Sequence, residues 1–156
     1  MRNYLESEML ADSLKKRVRY SCTTFPGMDG AGVFTIHVDN KTIKRFSMET
    51  VASHAFQGEK PINMPAYWKA YWGEKEHTPL ANREEFDDME FSEALAEYRA
   101  VDINSALLSS NPIVRMFAVL DRRVGKRTLK NLTDTVQEQP EWLQFFYNLR
   151  IDAEEL

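Results

Sequence analysis

The chain has 156 residues, about one domain's length, with 43% hydrophobic and 28% charged residues. That composition excludes a disordered tail, a collagen repeat and a coiled-coil rod. A chain of this size buries roughly two-thirds of its unfolded surface, so it needs no metal or disulfide staple. The single Cys22 cannot form an internal disulfide, and charges occupy the N-terminus where a signal peptide carries its apolar core. The expectation is a soluble, cytoplasmic, single-domain protein spanning 1–156, with no membrane partner.

The net charge of −4 is unevenly spread. Residues 61–110 hold four Lys/Arg against ten Asp/Glu, while Arg115–Lys130 holds six cations against the lone Asp121. Such asymmetry fits either partners of opposite sign or one fold pairing its own halves.

Residues 1–17 lack Gly and Pro and place Leu5, Met9, Leu10 and Leu14 at helical spacing, which predicts an N-terminal helix. The period then falls to two. Val18, Tyr20 and Cys22 alternate with Arg19, Ser21 and Thr23, giving a strand with Cys22 on its apolar side. A loop over 26–32 leads to a second strand in which Phe34, Ile36 and Val38 alternate with polar positions. Asp39-Asn40-Lys41 supplies a hairpin turn, because Asp and Asn tolerate positive φ. A third strand at 42–47 completes a three-stranded antiparallel meander within 1–47.

The region 48–156 reads as mostly helical. Pro65 opens a short helix that Gly73 closes, and Glu74–Glu90 reads as irregular. Ser92 and Asp102 each cap a short helix. Asn111-Pro112 is a stronger start, with a capping side chain before a proline whose missing donor costs nothing. Ile113, Phe117, Leu120 and Val124 share one face of the helix that follows, and Arg115 and Arg122 share the opposite face. Gly125 ends that helix, a second runs from Lys126 towards Val136, and Pro140 starts the last. In the last helix Trp142, Phe145, Phe146, Leu149 and Ala153 form the expected buried face. The fold class is α+β.

Chemistry-bearing motifs are sparse. The glycines at 27, 30 and 32 lead into a strand and not a helix N-terminus, so a hairpin loop is favoured over a phosphate cradle. His37, His54 and His77 are scattered. Glu74-x-x-His77 is one metal-ligand pair where a di-metal bundle needs two, so neither a metal nor a cofactor is expected. Cys22, on an apolar strand face, reads as an inert buried thiol. No catalytic residue is singled out.

Two partner surfaces remain. Tyr67, Trp68, Tyr71 and Trp72 read first as core, but four aromatics in six residues do not easily all face one core, and an outward pair would be a hot spot for a protein partner or a stacking platform for bases. The carboxylates Glu84, Glu85, Asp87, Asp88, Glu90, Glu93 and Glu97 read as a solvated run with ordinary pKa values, or as an acidic docking surface centred on Glu84, Glu85, Asp87 and Asp88. The alternative is nucleic acid, held by Arg115, Arg122, Arg123, Lys126 and Lys130 through phosphate contacts. The helix dipole and the acidic segment explain those cations equally well.

Ala11-Asp12-Ser13-Leu14, Asn111-Pro112-Ile113 with Leu120–Leu129, and Gln139–Leu143 with Phe146–Arg150 resemble a family of small, uncharacterised bacterial cytosolic proteins. The resemblance implies a cytosolic bacterial setting and a defined job for the Arg122–Arg127 segment. It transfers no activity. The expected function is a non-enzymatic protein-binding module of the immunity, inhibitor or adaptor type. Nucleic-acid binding is the alternative, and a hydrolase with an unrecognised site using the histidines or acidic residues is a further one.

Overall fold

The computed structural model describes residues 1–24, 32–57 and 59–156. Three strands, β1 (Val18–Thr24), β2 (Gly32–Val38) and β3 (Lys41–Phe46), form an antiparallel sheet in the order β1-β2-β3. Tyr20 lies opposite Ile36, and Phe34 opposite Phe46. The hairpin at Asp39-Asn40 takes φ values of 50° and 65°, the left-handed pair that the two side chains tolerate. Of the loop expected over 26–32, residues 26–31 lie outside the described residues, and Gly32 is already the first residue of β2.

The helices are α1 (Met48–Ala55), α2 (Met64–His77), α3 (Asp88–Ala100), α4 (Ile103–Leu107), α5 (Pro112–Leu120), α6 (Lys126–Leu132) and α7 (Glu141–Ala153). The fold is α+β, a strand meander followed by a helical C-terminal half. Helix α5 is its centre: Ile113, Val114, Met116, Phe117, Val119 and Leu120 are all buried, and only Arg115 reaches partly outward. Phe91 of α3 stacks on Phe34 of the sheet at 4.3 Å between ring centroids and meets Phe117 edge-on at 5.3 Å. Helix α3 therefore joins the sheet to α5.

Several local expectations give way to tertiary contacts. The N-terminal segment is not one helix. Tyr4–Met9 winds as a π-helix, which brings Leu5 and Leu10, five residues apart, to the same core, and Leu10 then turns extended. Leu10 bridges Asp121, while the N–H of Ala11 donates to the Leu120 carbonyl and that of Arg122 to the Met9 carbonyl. Those backbone bonds require extended chain at both Leu10 and Asp121, so α5 stops at Leu120 and not at Val124. Arg122 therefore does not share a helix face with Arg115.

Gly73 lies inside α2, which continues through Glu74-Lys75-Glu76-His77. Helix α3 starts at Asp88 and not after Ser92, because Asp87 and Glu90 form a reciprocal capping box. Asp102 and Asn111 cap α4 and α5 as their sequence positions predict. Gly125 is the N-cap of α6 at φ −80°, and so needs no left-handed backbone. Helix α7 buries the stripe Leu143, Phe146, Tyr147, Arg150, which leaves Phe145 outside at 41% exposure. Cys22 is exposed, as are Thr23 and Thr24 after it, so the alternation that buries Val18 and Tyr20 does not extend to the end of β1. Among the described residues no helix is long and apolar enough to cross a membrane.

Candidate docking surface

Helices α1 and α2 form a hairpin with a small core of their own, Val51, Ala52 and Tyr71, flanked by Met48 and Tyr67. Ser47 caps α1 through the N–H of Thr50, and Asn63 caps α2 through that of Ala66. At about 100° per residue, Tyr67 and Tyr71 share one side of α2 and Trp68 and Trp72 the next, while Met64 falls between them, about 40° from Trp68 and about 20° from Tyr71, and is exposed as the first residue of the helix. The tyrosines turn inward. The outer side carries Trp72 at 51% exposure, Trp68 at 38% and Met64 at 59%, beside Ile62 at 95%. From Met64 to Trp72 is about 12 Å along the axis. Edge-on contacts to Tyr71, at 5.9 Å for Trp68 and 5.1 Å for Trp72, brace both indoles. The ammonium of Lys75 lies 5.5 Å from the Trp72 ring centre.

Of the four aromatics and four carboxylates expected to meet a partner, Tyr71 and Asp87 cannot. They are 3% and 0% exposed and bond to each other. Asp87 accepts from the Tyr71 hydroxyl at 2.5 Å, from Lys75 Nζ at 2.6 Å and from the N–H of Glu90 at 2.8 Å. Burial alone would raise the Asp87 pKa, but these donors outweigh it and hold its carboxyl below the ordinary value. Glu90 goes the other way. Burial raises its pKa, with the neighbouring Asp87 charge adding to the rise, although Arg83 Nη1 lies 2.6 Å away. The expected solvated run is thus partly a buried ionic network that fastens α2 to the start of α3. Asp88 is also engaged, accepting from the N–H of Gly32 at 3.0 Å. Glu84 remains exposed, and Glu85 reaches Lys44 at 3.3 Å.

The basic residues are dispersed. Arg115 donates to the Ser109 carbonyl at 2.6 Å and to Gln139 at 3.1 Å. Arg123 pairs with the buried Asp121 at 2.7 Å, and Asp121 also accepts from the Tyr98 hydroxyl. Arg122, Lys126, Arg127 and Lys130 are exposed.

Sequence reasoning missed three buried cations among the described residues, Arg83 beside Glu90 and two more. Lys44 lies in phase with Phe46 on β3, so the period-two alternation does point it inward. It sits 5.2 Å from the Trp142 ring centre and 5.6 Å from that of Phe86, where burial lowers its pKa. It floors a cleft of about 820 Å³ that Arg115, Glu138 and Trp142 also line. Arg150 is the third, 3% exposed on α7.

His54 has Glu74 at 3.4 Å on Nδ1 and Glu84 at 3.3 Å on Nε2. Both ring nitrogens thus face carboxylates, and among the described residues neither is hydrogen-bonded to a hydroxyl or thiol that it could activate. Glu74 turns to His54 and not to His77. Among the described residues no three His, Cys, Asp or Glu side chains come together as a metal site.

No curated protein and no solved structure matches the chain. A family model does, over residues 1–151, and the chain belongs to the SF0329 protein family.

Proposed function

We propose that this chain is a protein-binding module that docks the outer face of α2 into an apolar groove of a partner protein. One observation carries the reading. Met64, Trp68 and Trp72 stand outward at four-residue intervals on a helix whose inner face is already occupied by its own small core. A contiguous apolar stripe on a soluble surface marks an interaction site, and Trp is prominent among interface hot spots. Anchors at this spacing suit recognition of a helix in a groove. Glu76 continues the ladder one turn on and Glu84 is exposed nearby in the chain, so the partner's groove carries cations at the end that meets the α2 C-terminus. An immunity, inhibitor or adaptor role in the cytoplasm, with no turnover, fits such a surface.

The test starts with capture from native lysate, treated with nuclease, followed by reconstitution with the purified partner. Trp68→Ala/Trp72→Ala should weaken the purified complex by at least about 30-fold, as losing a hot spot of ~2 kcal/mol does. Equal affinity of the double variant and the parent chain would remove the reading.

A further inference from the structure

Arg150 is a buried cation with too few partners. Its Nη2 donates to the Val124 carbonyl at 2.9 Å. Its Nη1 lies 3.0 Å from Glu154 Oε1 but outside hydrogen-bond geometry, and its Nε has no acceptor among the described residues. Buried guanidinium donors are normally satisfied, and an unsatisfied one is commonly completed by water or an ion. Arg150 forms one wall of a pocket of about 270 Å³ between the N-terminal segment, the α5–α6 connection and α7. Arg122 and Lys126 line the same pocket, and both are exposed.

The two carboxylates on the pocket wall are already engaged. Asp12 pairs with Lys15 at 2.7 Å, and Glu154 accepts from the Ser13 hydroxyl at 2.7 Å as well as facing Arg150. Three cations against two committed carboxylates leave the pocket positive. Neither Arg122 nor Lys126 has an ion-pair partner among the described residues. At about 270 Å³ the pocket has room for a phosphoryl group.

We infer that this pocket binds a phosphoryl group, with Arg122 and Lys126 contacting its oxygens and Arg150 supplying positive charge from behind. Arginine matches phosphate geometry with paired N–H donors, and lysine serves as a point charge. The segment between α5 and α6 thereby acquires a role that the dispersed basic residues do not have as a continuous surface. Phosphate itself comes either from a small soluble molecule or from a nucleic-acid backbone. The site is separate from the α2 stripe and does not depend on it.

The experiment titrates the full chain with inorganic phosphate at constant ionic strength, chloride serving as control, and follows the melting temperature. A parallel arm titrates a fluorescent single-stranded 12-mer oligonucleotide across a salt series. Phosphate should raise the melting temperature where chloride does not. Arg122→Ala and Lys126→Ala, both surface changes checked for retained fold by circular dichroism, should each weaken phosphate at least tenfold. Trp68→Ala/Trp72→Ala should leave phosphate binding unchanged. Oligonucleotide binding that both pocket variants abolish, with a log–log salt slope of about −1 to −2, assigns the phosphate to nucleic acid. Phosphate binding without oligonucleotide binding assigns it to a small molecule. No phosphate response in the parent chain, or one that both pocket variants keep, overturns the inference.

Discussion

Tyr71 and Asp87 meet through a 2.5 Å hydrogen bond that joins the small core of the α1–α2 hairpin to the N-cap of α3. Asp87 has three tasks at once, on two helices. It caps α3, accepts from the inner face of α2 and neutralises Lys75. Rigid presentation of Trp68 and Trp72 depends on it, because the same helix turns carry Tyr71 and Lys75 inward and the indoles outward.

Asp87→Asn should therefore destabilise the chain by about 3 kcal/mol or more, the cost of leaving a buried ion pair without one partner. Tyr71→Phe should cost about 1.5–3 kcal/mol, the range for a hydrogen bond to a charged group. Chemical denaturation measures both. A double-mutant cycle should give coupling of at least 1 kcal/mol, and additive effects would show that the two side chains act separately.

The pH dependence follows from the opposite shifts of Asp87 and Glu90. A carboxyl held below its ordinary 3.8 in the folded chain contributes stability above that pH, and loses it as the pH falls through the folded value. Glu90, raised above 4.5, binds its proton more tightly when folded, so its contribution falls as the pH rises through the folded value. The pair's joint contribution is greatest between 3.8 and 4.5. Lys75→Gln, which replaces the charged donor to Asp87 by a shorter neutral one, should make acid unfolding begin at higher pH. Glu90→Gln should flatten the fall above pH 4.5. Denaturant melts across pH 2.5–8 (about that span) read both slopes.

Gly73 offers a gain. It sits within α2, and a methyl group there would meet no atom within 4 Å. Gly73→Ala should stabilise the chain by about 0.5–1 kcal/mol through helix propensity and a less flexible unfolded state. A drop in midpoint denaturant concentration would mean that the backbone at 73 is not free to carry a side chain.

The sheet, the hairpin and the caps at Asp102 and Asn111 were legible because their signals are local. Alternation, turn chemistry and a capping oxygen act within a few residues, and nothing distant opposed them. The π-wound start and the early end of α5 were not legible. Both come from the Leu10–Asp121 bridge, a contact across 111 positions that no local period encodes. The division of the aromatics was half legible, since helical angle requires the Tyr and Trp pairs to part but cannot say which pair faces in. Tyr71 turns inward where its hydroxyl meets Asp87, a bond that indoles at 68 and 72 do not replace. The acidic run misled for the same reason. Charge density alone does not reveal that Lys75 and Arg83 come back to meet it.

Cys22 gives a direct check on how far the sheet is covered. It lies opposite Phe34, on the side of β1 that buries Val18 and Tyr20, yet the strand is exposed from residue 22 onward. A buried thiol would react only on unfolding, whereas an exposed one is titrated in the native chain. One equivalent of thiol should react with a disulfide reagent in native buffer, at a rate within about tenfold of the same thiol in denaturant. Cys22→Ser should change stability by less than about 0.5 kcal/mol, as surface substitutions usually do. A thiol that stays silent until denaturant is added would place Cys22 back under cover, and would extend the core one residue pair further along β1 and β2.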